Sequence, residues 1–193
     1  MLPIPTTVTF LQMFERPERR AQMPSRPRLM LTRAENLPVQ FYRYLYESVG
    51  KPWVWVTRRR MRDEDLAHAI HRPGIEVYVL YVEGSPAGYA EIDARNSQNI
   101  ELSYFGLTPD FTGMGLGAFF LGEAIAIAWD KGPRRVHVQT CTLDHPRALP
   151  LYQRMGFVPF SQVETTVNPI GDEPHPLVEA QRRRQPLHSG ESH

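Results

Sequence analysis

Three alternating glycines at the junction between a strand-like and a helix-like stretch constrain this chain more than any other feature. The run Thr108-Pro109-Asp110-Phe111-Thr112-Gly113-Met114-Gly115-Leu116-Gly117 follows one apolar stretch and opens another. Glycine lets the backbone turn tightly and lets a ligand approach closely. The first N–H groups of a helix have no partner within it, and the helix dipole adds positive potential there. Such a junction is an anion site suited to a phosphate or pyrophosphate. A strand that feeds a helix through this loop also points to an α/β fold. The plainer alternative is a glycine-rich helix start that holds no ligand.

Two familiar phosphate loops can be weighed against it. A Walker loop needs Gly-Lys-Ser/Thr, and no lysine follows these glycines. A dinucleotide loop is a closer rival, because Gly113, Gly115 and Ala118 satisfy G-x-G-x-x-G/A behind a strand. That reading expects an acidic ribose ligand about 20 residues on, at the end of the next strand. The next strand ends Val138-Gln139-Thr140-Cys141, with no acid before Asp144. The loop also comes late, leaving too little chain for a six-stranded dinucleotide sheet.

The chain has 193 residues, which at ~150 per domain makes one domain and a modest surplus. Hydrophobic residues are 41%, charged residues 22% and the net charge +1, so wholesale disorder is excluded. The near balance of charge gives no electrostatic case for nucleic acid. Cys141 is the only cysteine, which excludes an internal disulfide and a cysteine-based zinc site, and no metal is expected. The most apolar stretch, 118–129, is too short for a membrane span and is interrupted by Gly122 and Glu123. Residues 1–10 carry two prolines and no positive charge, unlike a signal peptide. A cytoplasmic setting with no membrane partner is the expectation.

Hydrophobic periodicity and turn residues divide the chain into the order β, α, α, β, β, β, α, β, α, β. The first strand is expected over 6–15, with Val8, Phe10 and Gln12 on one face, and a short strand over 28–32. A helix over 35–49 carries Leu37, Phe41, Leu45 and Val49 at i, i+4 spacing and ends at Gly50. A short helix with an acidic start covers 63–71. Strands over 76–83 and 87–94 are joined by Gly84-Ser85-Pro86, a hairpin signal. A strand over 99–108, a helix over 113–131, a strand over 135–141, a helix over 145–155 and a strand over 158–167 complete the domain, 1–167. The stretch 168–193 is polar, with an Arg182-Arg183-Arg184 run, and reads as a mobile or loosely docked tail. Arg58-Arg59-Arg60 reads as a solvated run. Hairpin strands followed by strand–helix–strand imply a mixed sheet with helices on both faces.

The combination resembles the GNAT superfamily of acyl-CoA-dependent N-acetyltransferases. Leu107-x-Pro109 before Thr112-Gly113-Met114-Gly115-Leu116-Gly117 stands where the family has V-x-P and then Q/R-x-x-G-x-G/A. Downstream, His145-Pro146-Arg147-Ala148-x-x-x-Tyr152-x-x-x-Gly156-Phe157 resembles N-x-x-A-x-x-x-Y-x-x-x-G-F. Both motifs in register, with a helix and a strand between them, are far more specific than the glycines alone. The likeness covers about 76–165 by motif and the rest by element order. Thr112 replaces the family's usual Gln or Arg, which removes one contact near the pyrophosphate. His145 replaces the usual Asn and can still donate or accept a hydrogen bond.

The resemblance implies a mostly antiparallel sheet whose central strands splay at the acyl-CoA site. It implies acetyl-CoA as cosubstrate and the primary amine of a small molecule or peptide as acceptor, and it leaves a homodimer open. Cofactor contacts fall on Phe105, Gly106, Leu107, Thr112, Gly113, Met114, Gly115, Leu116, Gly117, Ala118, His145 and Ala148. Glu101 lies six residues before Leu107, the offset of a catalytic glutamate in some members, and is the expected base. Strand alternation puts Glu101, Ser103, Phe105 and Leu107 on one face. Glu91 is the alternative base and Asp93 a weaker one. Backbone N–H groups near Phe105 and Leu107 are expected to receive the oxyanion, with Gly106 marking a local bulge. Tyr152 matches the tyrosine that faces the CoA sulfur and is the expected general acid. Acceptor binding is assigned to Tyr42, Tyr46, Trp53 and Trp55, with core packing as the alternative. Two other functions stay open beside acetyl transfer: a non-catalytic acyl-CoA-binding module and a dinucleotide-binding enzyme.

Overall fold

A computed structural model describes residues 1–18 and 22–184. Residues 19–21 of the arginine-rich loop and 185–193 of the expected tail lie outside the described residues. Strand β1 (Ile4–Met13) leads through that loop to β2 (Leu29–Arg33). Helix α1 (Val39–Gly50) begins later than its apolar spacing suggests. Pro38 disfavours helical backbone at Leu37, and Asn36 sits at φ 50°. Helix α2 (Asp63–Ile70) opens on Asp63, Glu64 and Asp65, which favour the positive end of its dipole. Strands β3 (Ile75–Val82) and β4 (Ser85–Asp93) form the hairpin. Its turn is Glu83-Gly84, both at positive φ, one residue earlier than expected. Strand β5 (Asn99–Leu107), helix α3 (Leu116–Trp129), strand β6 (Arg135–Cys141), helix α4 (Ala148–Arg154), strand β7 (Val158–Val167) and helix α5 (Pro176–Arg184) complete the described chain.

The seven strands make one sheet in the order β2-β3-β4-β5-β6-β1-β7. Every neighbouring pair is antiparallel except β5 with β6. Helices cover both faces. On one, α3 and α4 bury Phe120, Leu121, Ile125 and Tyr152 against Leu11, Ile92, Ile100 and Val138. On the other, α1 and α2 bury Tyr42, Leu45, Tyr46 and Leu66 against Val77, Val79 and Tyr89. No helix among the described residues is long and apolar enough to cross a membrane.

Two irregularities disturb the centre of the sheet. The parallel pairing of β5 with β6 runs only from Asn99 opposite Arg135 to Leu102 opposite Val138, and then the strands part. On its other side β5 carries one extra residue. Ile92 faces Leu102 while Glu91 faces Tyr104, so Ser103 is bulged out. The expected shared face is therefore corrected. Ile100 and Leu102, then Phe105 and Leu107, pack on the α3 side, whereas Tyr104 joins the α1 side. Glu101, between Ile100 and Leu102, faces α1. The bulge lies at Ser103, not Gly106. Gly106 instead allows close approach of α1, since a Cβ there would sit 2.4 Å from Val49 Cγ1.

The chain after β7 is docked as far as it is described, which corrects the expectation of a loose tail over 168–184. Val178 is fully buried with Ile4, Val54, Val56 and Leu143. In the arginine run Arg58 and Arg59 are likewise engaged by carboxylates rather than solvated, while Arg60 stays exposed. Arg59 reaches Asp172 at 2.7 Å and the fully buried Glu173 at 3.1 Å, and Arg60 donates to the Asn168 carbonyl at 2.6 Å. Glu173 also accepts the backbone N–H groups of Ile170 and Gly171. The segment thus straps residues 51–60 to the body. Arg59→Ala should make amides of 170–178 exchange with solvent roughly tenfold faster or more, while those of β3 and β4 stay unchanged. Equal acceleration across the whole sheet would show global rather than local loosening.

Candidate active site

Where β5 and β6 part, the sheet opens into a cleft of about 370 Å³. Phe105, Gly106 and Leu107 form one side, on an edge of β5 that has lost its β6 partner. Thr112, Gly113, Gly115, Gly117 and Ala118 form the second side, and His145, Ala148 and Tyr152 the third. At the α1 end stand Val49, Trp53, Trp55 and Tyr104. The two motifs, distant in sequence, therefore meet across one opening.

Local geometry explains the glycine loop. Gly113 and Gly115 adopt φ of 79° and 76°, a conformation that side chains with a Cβ resist, and Gly115 is the residue that starts α3. The first N–H groups of α3 have no partner within the helix and begin beside the cleft. The Thr112 hydroxyl turns back to donate to the Pro109 carbonyl at 2.7 Å, so this position offers its backbone. Met114 is half-exposed and Leu116 is buried, and neither lines the cleft.

Tyr152 is held by edge contacts with Phe105 and Phe157, at ring distances of 6.4 and 5.9 Å. Burial, and then the charge of Asp144, push its pKa far above the ordinary phenol value, so it keeps its proton at neutral pH. The His145 Nδ1 accepts the Arg147 N–H at 3.0 Å, and its ring meets Trp53 edge-on at 5.0 Å.

The carboxylates fall into distinct states. Glu91 is 1% exposed and is engaged on both oxygens, by Tyr42 Oη at 2.5 Å and Arg58 Nη2 at 2.6 Å. Asp93 is paired with Arg95. Glu101 is half-buried and makes no salt bridge among the described residues. Burial raises its pKa above the ordinary carboxylate value, the charges of Asp93 and Glu91 add to the rise, and Arg95 opposes it. None of the three lines the cleft; Glu101 lies on its α1 side, below the Ser103 bulge.

Tyr42 and Tyr46 do not line the cleft either. They are 0% and 2% exposed and belong to the α1 core. Tyr42 holds Glu91, and the Tyr46 hydroxyl accepts the Arg58 backbone N–H at 3.3 Å. Among the described residues, Arg58 Nε and the Tyr89 hydroxyl are buried beside this network without a partner. Sequence reasoning missed Asp144 as a site residue. It lines the cleft and accepts from Trp55 Nε1 at 2.9 Å, from the Thr140 hydroxyl at 2.7 Å and from the Cys141 N–H at 2.9 Å. Its place directly before His145 was the available signal. Tyr104 was also missed, because the bulge that turns it to the α1 side has no local signature.

Comparison with known proteins decides the family. The model of the acetyltransferase (GNAT) family matches residues 41–157. The chain belongs to this family. An uncharacterized N-acetyltransferase of Methanocaldococcus jannaschii is 30% identical to this GNAT chain over 61% of it and 50% of the relative. A GCN5-related N-acetyltransferase from Sphaerobacter thermophilus superposes with a TM-score of 0.60 at 15% identity, over 86% of this chain and 54% of that one. Aminoglycoside N-acetyltransferase AAC(6')-Iy, in complex with CoA, gives 0.52 at 16% identity over 74% of this chain and 95% of that one. The GNAT chain thus spans about half the length of the first two of these relatives.

Proposed function

We propose that this GNAT chain transfers an acetyl group from acetyl-CoA to a primary amine. The observation that carries the reading is the meeting of three features at one opening: the parted strands, the glycine loop at the start of α3, and Tyr152. The backbone of 113–117 and the dipole of α3 suit a pyrophosphate. The orphaned edge of β5 at Phe105 and Leu107 suits the amide groups of pantetheine and the developing oxyanion, because its donors need no reorganisation. The aminoglycoside enzyme of similar fold is known with CoA, which supports the same class of cosubstrate here.

The chemistry asks for one proton to leave the amine before attack and one to reach the departing sulfur. The ammonium gives up a proton, its nitrogen attacks the thioester carbon, the C–S bond breaks, and a second N–H proton leaves as the amide forms. Amide, CoA thiol and one net proton result. Glu101, with its raised pKa and its position on the α1 side, acts as base through water, since it does not itself line the cleft. Glu91 is committed to Arg58 and Tyr42 and serves structure. Tyr152 donates to the leaving thiolate.

Thiol release with acetyl-CoA and a panel of amines tests the reading directly. Tyr152→Phe keeps the ring and its packing and removes only the donated proton. It should lower kcat at least about tenfold, or about 1.4 kcal/mol of transition-state stabilisation, with near-normal acetyl-CoA affinity. An unchanged kcat, measured where chemistry limits turnover, returns Tyr152 to a packing role. Acetyl-CoA binding without thiol release from any amine would favour a binding module.

A further inference from the structure

The α1 end of the cleft is an aromatic wall, and it is built to stay in place. Trp55 packs so tightly on the end of α1 that a Cβ on Gly50 would lie 2.3 Å from its ring. Its indole N–H is tied to Asp144 at 2.9 Å, and its ring touches those of Tyr46 and Tyr104 at 5.5 and 5.3 Å. Trp53 stands edge-on to His145. Between the two tryptophans Val54 adopts φ 60°, in the left-handed region that β-branched residues resist. Its side chain is buried with Ile4, Val56 and Leu143 while both flanking indoles line the cleft. Strain of this kind persists only where surrounding contacts enforce it, and here it places two indoles at one mouth.

The charges around this wall are as telling. Among the described residues Asp144 is the one carboxylate that lines the cleft, and it already accepts from three donors. Glu91, behind Tyr104, is consumed by Arg58 and Tyr42. The other charged groups on the lining are the cations Arg147 and Arg154. The lining thus sets one carboxylate, held but not neutralised by three uncharged donors, against two guanidinium groups, so several ammonium groups on one acceptor would not be matched by charge here. A single amine on a flat body would find ring faces for the body and quadrupole attraction for its ammonium.

Resting on the acetyl-transfer reading above, we infer that the acceptor is a monoamine carried on a flat apolar or aromatic body, and that polycationic amines are poor acceptors. The geometry thus separates this chain from a catalyst for aminoglycosides, which carry several ammonium groups.

The test compares kcat/KM, by thiol release from acetyl-CoA, for 2-phenylethylamine and tryptamine against spermidine and kanamycin. Acetyl-CoA affinity is measured in parallel by calorimetry. The arylalkylamines should exceed both polycations by about tenfold or more, the scale of one aromatic–cation contact. Trp55→Leu should raise their KM by a similar factor at near-normal acetyl-CoA affinity. Trp53→Leu, which alters a ring outside the α1 core cluster, gives the same readout if the first variant does not fold. A polycation used as well as or better than the arylalkylamines overturns the inference alone, as does an unmoved KM in a folded tryptophan variant. Thiol release from none of the four amines, with acetyl-CoA still bound, overturns the acetyl-transfer reading and the inference with it.

Discussion

Glu101→Gln should lower kcat by roughly 10²–10⁴ while acetyl-CoA affinity stays near normal. The substitution keeps the size of a half-buried side chain and removes its ability to take a proton. The charged form is the active one, so the wild-type rate should fall as pH drops through the raised pKa of Glu101. The deficit of the variant should shrink at high pH, where the acceptor is already a neutral amine. A kcat and pH profile equal to wild type in a folded Glu101→Gln protein would remove this residue from the chemistry. Because Glu101 sits below the bulge and not on the cleft lining, the effect should pass through solvent. A measurable solvent isotope effect on kcat in the wild type, reduced in the variant, is the accompanying signature.

Arg58→Ala should destabilise the fold by about 3–5 kcal/mol, the usual consequence of leaving one partner of a buried ion pair behind. Arg58 is 15% exposed and Glu91 only 1%. Without the guanidinium the carboxylate keeps a single protein donor, Tyr42. For a domain of this size the melting temperature should drop by roughly 10 °C. Combining Arg58→Met with Glu91→Leu should recover most of that loss, because apolar side chains leave no charge to desolvate. Chemical denaturation of the three proteins is the check. A single variant within about 1 kcal/mol of wild type would mean that water reaches Glu91 and that the pair is not sealed.

The parts of this molecule legible in its sequence are those written in local steric rules. Glycines at 113 and 115 are required by positive φ and announce the loop before α3 from composition alone. The hairpin turn and the alternation along β3 and β4 are likewise local. The bulge at Ser103 is not, because one inserted residue changes which face Phe105 occupies without changing any neighbour's type. Tyr42 and Tyr46 at i, i+4 form the same stripe whether a core or a cleft lies opposite, so spacing could not choose between them. Trp53 and Trp55 are named for the acceptor by residue type, but that both line the cleft depends on Val54 at positive φ and on contact with Gly50, which spacing does not encode. The docking of 168–184 rests on charges that Arg59 meets more than a hundred residues downstream. No window of sequence contains both partners.

The place of β1 between β6 and β7 has a kinetic meaning. Val8 pairs with Cys141 on one side and with Val163 on the other, so β1 has both of its neighbours far downstream in sequence. During translation residues 4–13 have no ladder to join until β6 and β7, residues 135–167, have emerged. Closing so large a loop before any contact rewards it is slow, and an unpaired apolar strand recruits other chains meanwhile. Maturation of this domain is therefore gated by β1: refolding should end with capture of that strand, and conditions that delay that capture should divert chains into aggregates rather than into a stable partial fold.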